Sequence, residues 1–276
     1  MHHAVIVTTY NRPDALGAVL AGLLVQRGAP SFEVHVADDG SGEATRRLVD
    51  SFAPRFEGRL HHVWHPDEGF RAGAIRNRAA AGSSADRLIF LDGDCIPRPH
   101  FVAGHAAAAT QGTLARGSRA LLTQAFSERV LRDSLPVHTW GGLAWLRARL
   151  RGDVNRWRGL AHTPWSMAAG PSSSEWRSVR SCNLAIWRSD FERVNGFDER
   201  FVGWGYEDSD LAIRLINAGV RVRRAGGATT VLHLWHHEHD RRFEGENLER
   251  LEATRKRGPT RAEIGLSEAA VRGVHA

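Results

Sequence analysis

Lysine, cysteine, methionine and tyrosine are all scarce in this chain. Its 276 residues include one lysine (Lys256), two cysteines (Cys95 and Cys182), two methionines and two tyrosines. Two cysteines form neither a disulfide framework nor a metal knuckle, which points to a reduced, intracellular protein. No run approaches the roughly 18–20 apolar residues of a membrane span, and the longest, Val19 to Val25, is far shorter. Met1-His2-His3-Ala4 lacks the charged and apolar regions of a secretory signal, so the expected location is cytoplasmic. No internal repeat stands out. What is present is ordinary for a globular domain: 42% hydrophobic and 25% charged residues. Basic residues exceed acidic by 37 − 31 = 6, and 37 − 1 = 36 of them are arginine. The arginines are scattered until Arg255-Lys256-Arg257, so no nucleic-acid partner is expected. Arginine also suits bidentate contacts to small anions, which keeps phosphate-bearing ligands open.

Strand and helix alternate through the first hundred residues. Strands are expected at Ala4 to Thr8, Phe32 to Ala37, Leu60 to Trp64 and Arg87 to Leu91, and helices at Ala15 to Gln26 and Gly69 to Ala81. Such alternation builds a parallel sheet with helices on both faces, an α/β fold. Beyond Pro97-Arg98-Pro99 the pattern fades. Phe101 to Ala109 reads as a helix, and 110–180 holds loop signals with Trp140, Trp145, Trp157, Trp165 and Trp176, most of them expected in the core. Ser189-Asp190-Phe191-Glu192 reads as a capping box. Asp210 to Asn217 reads as a helix, and Thr229 to Leu232 as a last strand delivering His233, His236, His237 and His239.

In open parallel sheets, ligands bind beyond the carboxyl ends of the strands. Asp38 and Asp39 follow the second strand and Asp92 and Asp94 the fourth, so all four carboxylates should share one edge. Like charges in a cleft need a cation or donor groups to neutralise them, and Asp92-Gly93-Asp94 after an apolar strand suits a hard divalent metal. Asp38 and Asp39 suit a ribose or nucleobase, or merely a solvated turn. Arg71, Arg76 and Arg78 lie on one expected helix and can reach a diphosphate. Glu207-Asp208 stands at a helix start, where the dipole favours the ionised form; one can serve as general base, or the pair can simply cap. The histidines of 233–239 offer imidazole, which Mn2+ tolerates better than Mg2+.

Seven elements occur in a telling order: Tyr10-Asn11-Arg12, Asp38-Asp39-Gly40-Ser41, Gly69-Phe70-Arg71 with Arg76-Asn77, Leu91-Asp92-Gly93-Asp94, Asn195-Gly196-Phe197-Asp198, Gly203-Trp204-Gly205-Tyr206-Glu207-Asp208, and His233. In these the chain resembles the family 2 glycosyltransferases of GT-A fold. Its second half is similar to the galactosyltransferase C-terminal module of bacterial chondroitin synthase-type enzymes and β-1,4-galactosyltransferases. The resemblance spans roughly residues 4–240. It implies one catalytic domain over 1–240, with a nucleotide-binding half (1–100) and an acceptor-binding half (101–240), followed by a basic helical tail (241–276). It also implies a UDP-sugar donor, with Thr8, Tyr10, Arg12 and Asp39 lining the uridine pocket and Asp38 nearby. Arg71 and Arg76 would face base or diphosphate, Asp92 and Gly93 the ribose or metal shell, and Trp204 a sugar face. Asp94 would ligate Mn2+ or Mg2+ with His233 or its rival His236. Asp208 would be the base of an inverting transfer, and Glu207 would hold sugar hydroxyls. Galactose or an N-acetylhexosamine is the favoured sugar. The acceptor is left open as a glycan, a peptide or a small natural product, and the basic tail leaves room for peripheral membrane contact. Two other classes compete: a nucleotide-sugar-binding protein with altered catalysis, and a nucleotidyltransferase on a related fold. Against the latter, no glycine-rich phosphate loop stands near residue 10.

Overall fold

A computed structural model describes residues 1–157, 159–160, 167–237 and 240–273, with backbone alone from 270 onward. Trp165 and His239 lie outside the described residues. The chain runs β1 (His3–Thr9), α1 (Pro13–Leu24), β2 (Phe32–Asp38), α2 (Glu43–Phe56), β3 (Leu60–Trp64), α3 (Ala72–Ala81), β4 (Arg87–Asp92), β5 (Cys95–Ile96) and α4 (Phe101–Ala107). It continues through β6 (Thr113–Arg116), β7 (Arg119–Leu121), α5 (Gln124–Arg132), α6 (Gly142–Leu150), β8 (Ser172–Ser173), β9 (Asn183–Trp187) and α7 (Arg188–Arg193). Last come α8 (Glu207–Asn217), β10 (Arg221–Arg224), β11 (Val231–His233), α9 (Glu244–Arg257) and α10 (Leu266–Gly273).

Eight strands form one sheet in the order β3-β2-β1-β4-β9-β6-β10-β8. The four expected strands are its parallel half, paired in register from His3↔Phe32 and His3↔Arg87. β9 then pairs antiparallel with β4 and β6, so the second half of the chain extends the same sheet. Alternate residues feed two cores. Val5, Val7, Ile89 and Leu91 face one with α1, while Ala4, Ile6, Leu88 and Phe90 face the other with α3. A small sheet, β5-β11-β7, sits beside the end of β4.

Several boundaries differ from the sequence expectation. α2 was not anticipated: three of its fourteen residues, Thr45, Val49 and Phe56, are buried, so its apolar signal is thin. The short helix α7 begins at Arg188 after Trp187, so Ser189 lies inside it and caps nothing. α8 begins at Glu207 rather than Asp210. Thr229 closes a turn of 3-10 helix, and the strand starts at Val231.

The described tryptophans of 110–180 are packing residues. Trp145 is fully buried, Trp140 and Trp157 lie against the same core, and Trp176 lies against the other. After residue 240, α9 and α10 pack back onto the domain. The Thr254 hydroxyl donates to Asp210 Oδ1 (2.7 Å), and Asn247 Nδ2 donates to the Val202 carbonyl (3.0 Å).

Candidate active site

β2 ends at Asp38 and β4 at Asp92, so the four acids reach the carboxyl edge of the parallel strands together. Their partners differ. Asp38 is fully buried; it accepts from the Ser41 amide (2.8 Å) and lies 2.9 Å from His62 Nε2. Asp39 lies 2.6 Å from His65 Nε2 and accepts from the Arg71 amide (2.8 Å), which fixes the start of α3. Tyr10, half-exposed, donates to Asp67 (2.8 Å). Arg12 precedes α1 and pairs with Asp14 at 3.0 Å. The Arg71 guanidinium donates to the Pro66 carbonyl (3.0 Å).

Arg76 is the hub. Buried on α3, it donates from Nε to Thr8 Oγ1 (2.9 Å), from one terminal nitrogen to Asp92 (2.9 Å) and from the other to Glu207 (3.2 Å). Burial opposes its charge, but the two carboxylates outweigh burial and hold it protonated. Phe197 lies 5.4 Å beneath the guanidinium, and Asn77 clamps Phe197 through both backbone groups. The Asn195-Gly196-Phe197-Asp198 segment is thereby the floor under Arg76. The geometry makes Arg76 a counter-ion for carboxylates from two distant segments, a role that the helical spacing of the sequence could not reveal.

Glu207 opens α8 after a strained loop. Gly203, Gly205 and Tyr206 all have positive φ, of 76°, 111° and 73°. The three acids in the first turn, Glu207, Asp208 and Asp210, suit the helix dipole. Burial pushes the Glu207 carboxyl up to about 7, with the neighbouring Asp208 charge adding and Arg76 opposing. Asp208 is half-buried; it accepts from the Ser181 amide at 3.4 Å and the Ser209 hydroxyl at 3.2 Å. Trp204, also half-buried, has the Arg241 guanidinium 4.8 Å from its ring centre.

The third group forms where β11 pairs antiparallel with β5, placing His233 opposite Cys95. Asp94 Oδ1 lies 3.7 Å from His233 Nε2 and Oδ2 lies 3.5 Å from His236 Nε2. Both candidate histidines therefore face the same carboxylate. Burial lowers the His233 pKa, which keeps the ring neutral. Asp94 Oδ1 is buried without a hydrogen-bond partner. An orphaned carboxylate oxygen beside two imidazoles fits a divalent cation. The Cys95 thiol is close enough to join, but burial pushes its pKa well up, so it is no thiolate ligand. Gly93 lets the strand end turn: its amide donates to the Thr8 carbonyl (2.7 Å), and a Cβ there would stand 2.9 Å from that oxygen.

Nothing in the local sequence marks Arg119. It is half-buried on β7 beside β11, 3.8 Å from Cys182 Sγ, and its charge acts on both Asp92 and His233. One arginine among 36 carries no local signal; only the pairing of β7 with β11 brings it here.

Residues 4–164 match the sequence profile of glycosyl transferase family 2, more than half of the chain. The chain belongs to that family. Residues 167–240 match a second profile, the N-terminal domain of galactosyltransferase. The family 2 chain is 32% identical over 237 residues to validoxylamine A glucosyltransferase of Streptomyces hygroscopicus subsp. limoneus, covering 79% of this chain and 48% of that one. It is 30% identical over 227 residues to hyaluronan synthase of Pasteurella multocida, covering 78% and 23%. It is 26% identical over 234 residues to chondroitin synthase of Escherichia coli, covering 82% and 34%. The chain thus spans about half the length, or less, of these relatives. Among solved structures, S. aureus TarS 1-349 in complex with UDP superposes with a TM-score of 0.65 at 15% identity, covering 98% of this chain and 68% of that one. The shared architecture is the GT-A fold. Among the described residues no helix is long and apolar enough to cross a membrane.

Proposed function

We propose that this family 2 chain transfers a sugar from a UDP-sugar to an acceptor hydroxyl, with inversion and with the help of a divalent cation. One observation carries the reading. Asp94, His233 and His236 converge beside an Arg76-neutralised Asp92–Glu207 pair, at the edge where the parallel strands end. TarS was solved with UDP and with UDP-GlcNAc, which supports a uridine diphosphate donor.

Asp94, His233 and His236 would hold Mn2+ or Mg2+, and the two imidazoles favour Mn2+. A cation there supplies charge compensation for the diphosphate leaving group. Thr8, Tyr10, Arg12 and Asp39 surround the place of the uridine, while Arg71 and Arg119 add positive charge for phosphate oxygens. Asp208 removes the acceptor proton. The acceptor oxygen forms its bond to the anomeric carbon on the face opposite the breaking carbon–oxygen bond, UDP departs, and an α-linked donor gives a β-linked product. Glu207 lies beside that base, and Trp204 offers a ring for a sugar face. Its match to the galactosyltransferase domain favours a galactose or N-acetylhexosamine donor. Glucose joins the donors to be screened because one relative is named a glucosyltransferase. The acceptor is a soluble hydroxyl compound or a glycan presented by a larger assembly.

Calorimetric titration of UDP with Mn2+ and then with EDTA, followed by a UDP-sugar transfer screen, tests this. Metal-dependent UDP binding is expected. Asp94→Asn should lose both binding and transfer, whereas Asp208→Asn should keep UDP binding and lose transfer by roughly 100-fold or more. Full transfer in both variants would overturn the reading.

A further inference from the structure

At the opposite end of the parallel strands lies a second group of metal-type side chains that the transfer reaction does not use. Glu33 and His35 sit two residues apart on β2, and so on one face of the sheet. β2 pairs with β3 in the register His35↔His61, which sets a second imidazole beside the first; the rings stand 4.6 Å apart between centres. Just before β1, which pairs with β2 as Ala4↔Glu33, His2 supplies a third.

The distances suit a small tetrahedral ion. Glu33 Oε1 lies 3.0 Å from His35 Nε2, and Oε2 lies 3.6 Å from His61 Nε2 and 3.7 Å from His2 Nε2. The ligand atoms of Glu33, His35 and His61 all lie within 4.8 Å of one another. Bonds of about 2.0–2.1 Å to a tetrahedral Zn2+ put neighbouring ligand atoms about 3.3 Å apart, close to the spacing already present. His35 is 3% exposed; its Nδ1 has no hydrogen-bond partner, and its Nε2 faces only the Glu33 carboxylate. A buried imidazole nitrogen without a partner is rare. Burial lowers its pKa, keeping the ring neutral as a ligand must be. The Ser83 hydroxyl donates to Glu33 Oε1 (2.6 Å), the outer contact that orients a ligating carboxylate. His61 is exposed, which leaves an entry path.

We propose that Glu33, His35 and His61 form a Zn2+ site at the amino ends of β2 and β3, with His2 beside Glu33 just before β1. It lies a strand's length, about 20 Å, from the Asp94 group. The ion is structural, because it lies away from the transfer site and ties β2 to β3 through Glu33, His35 and His61.

The test uses the full chain carrying Asp94→Ala, which removes the other candidate ion site. Zn2+ titrated by calorimetry, and Co2+ followed by its tetrahedral visible absorption, should each show one equivalent bound, with a rise in Tm. Adding His61→Ala or Glu33→Gln should weaken binding roughly tenfold or more and remove the Tm rise. His61 is exposed, so its variant should fold as the parent does without metal. Absence of stoichiometric binding in the Asp94→Ala protein would overturn the proposal, as would binding that both added substitutions leave unchanged.

Discussion

Arg76 touches Thr8, Asp92 and Glu207 at once, and so joins β1, β4 and α8 through one guanidinium. Removing it strands two carboxylates in a buried place. Arg76→Met should therefore cost about 3–5 kcal/mol, seen as a lowered urea midpoint, and should abolish transfer. Glu207 gives a finer test. Its pKa is about 7 in the fold against an ordinary 4.5, so between those values the native state holds a proton that the unfolded chain has released. Its contribution to stability is present below pH 4.5 and is lost as pH rises through 7. Glu207→Gln should remove that slope. Unfolding measured at pH 5 and pH 8 should then show a smaller difference attributable to this site than in the parent. Asp38 and Asp39 are both held by neighbours, Asp38 by the Ser41 amide and His62, Asp39 by the Arg71 amide and His65.

The segment from Gly203 to Tyr206 shows how an element is aimed. Gly203 has φ 76°, its amide donates to the Phe70 carbonyl, and a Cβ would stand 2.5 Å from the Phe243 ring on the approach to α9. Gly203→Ala should cost about 1–3 kcal/mol of stability and displace Trp204 and the start of α8. We expect UDP affinity within a few-fold of the parent and a large fall in kcat, measured by calorimetry and by transfer assay. The helix itself is fixed from behind by a buried pair, Arg214 Nε to Asp210 at 2.8 Å, which the Thr254 hydroxyl completes. A helix after residue 240 thus helps to hold the residues proposed for catalysis. That dependence is invisible in a sequence where 241–276 reads only as a basic helical tail.

Taken over the entire chain, several histidines are buried neutral. Burial lowers His3 to about 4 and His105 to about 3, against an ordinary 6.5. Both contribute stability that is present above pH 6.5 and is lost as pH falls towards those values, because the unfolded chain gains protons that the fold refuses. Glu207 works the other way in part of that window, while His35, His138 and His233, also lowered by burial, work with them. Stability should therefore fall as pH drops from 6 to 5, by roughly 1.4 kcal/mol per pH unit for each uncompensated proton. Denaturant midpoints across that range check it, and a flat profile would contradict the burial of His3 and His105.

The parallel half of the sheet was legible in the sequence, because β1, β2 and β4 are β-branched or apolar runs, and β2 and β4 end in the acids they present. Their alternation with helices dictates a parallel sheet, and a parallel sheet puts Asp39, Asp92 and Asp94 at one edge whatever the side chains do next. The GT-A resemblance likewise rested on local motifs. Local pattern could not decide what long-range pairing decides. β9 joins the sheet across nearly a hundred intervening residues, α2 buries too few apolar residues to announce itself, and β11 settles which histidines meet Asp94. The partners of Arg76 and the gathering of Glu33, His35, His61 and His2 belong to the same class. Charged and imidazole groups have no periodicity that reveals their neighbours, so only the tertiary contact determines which charges neutralise one another and which are left to bind a ligand.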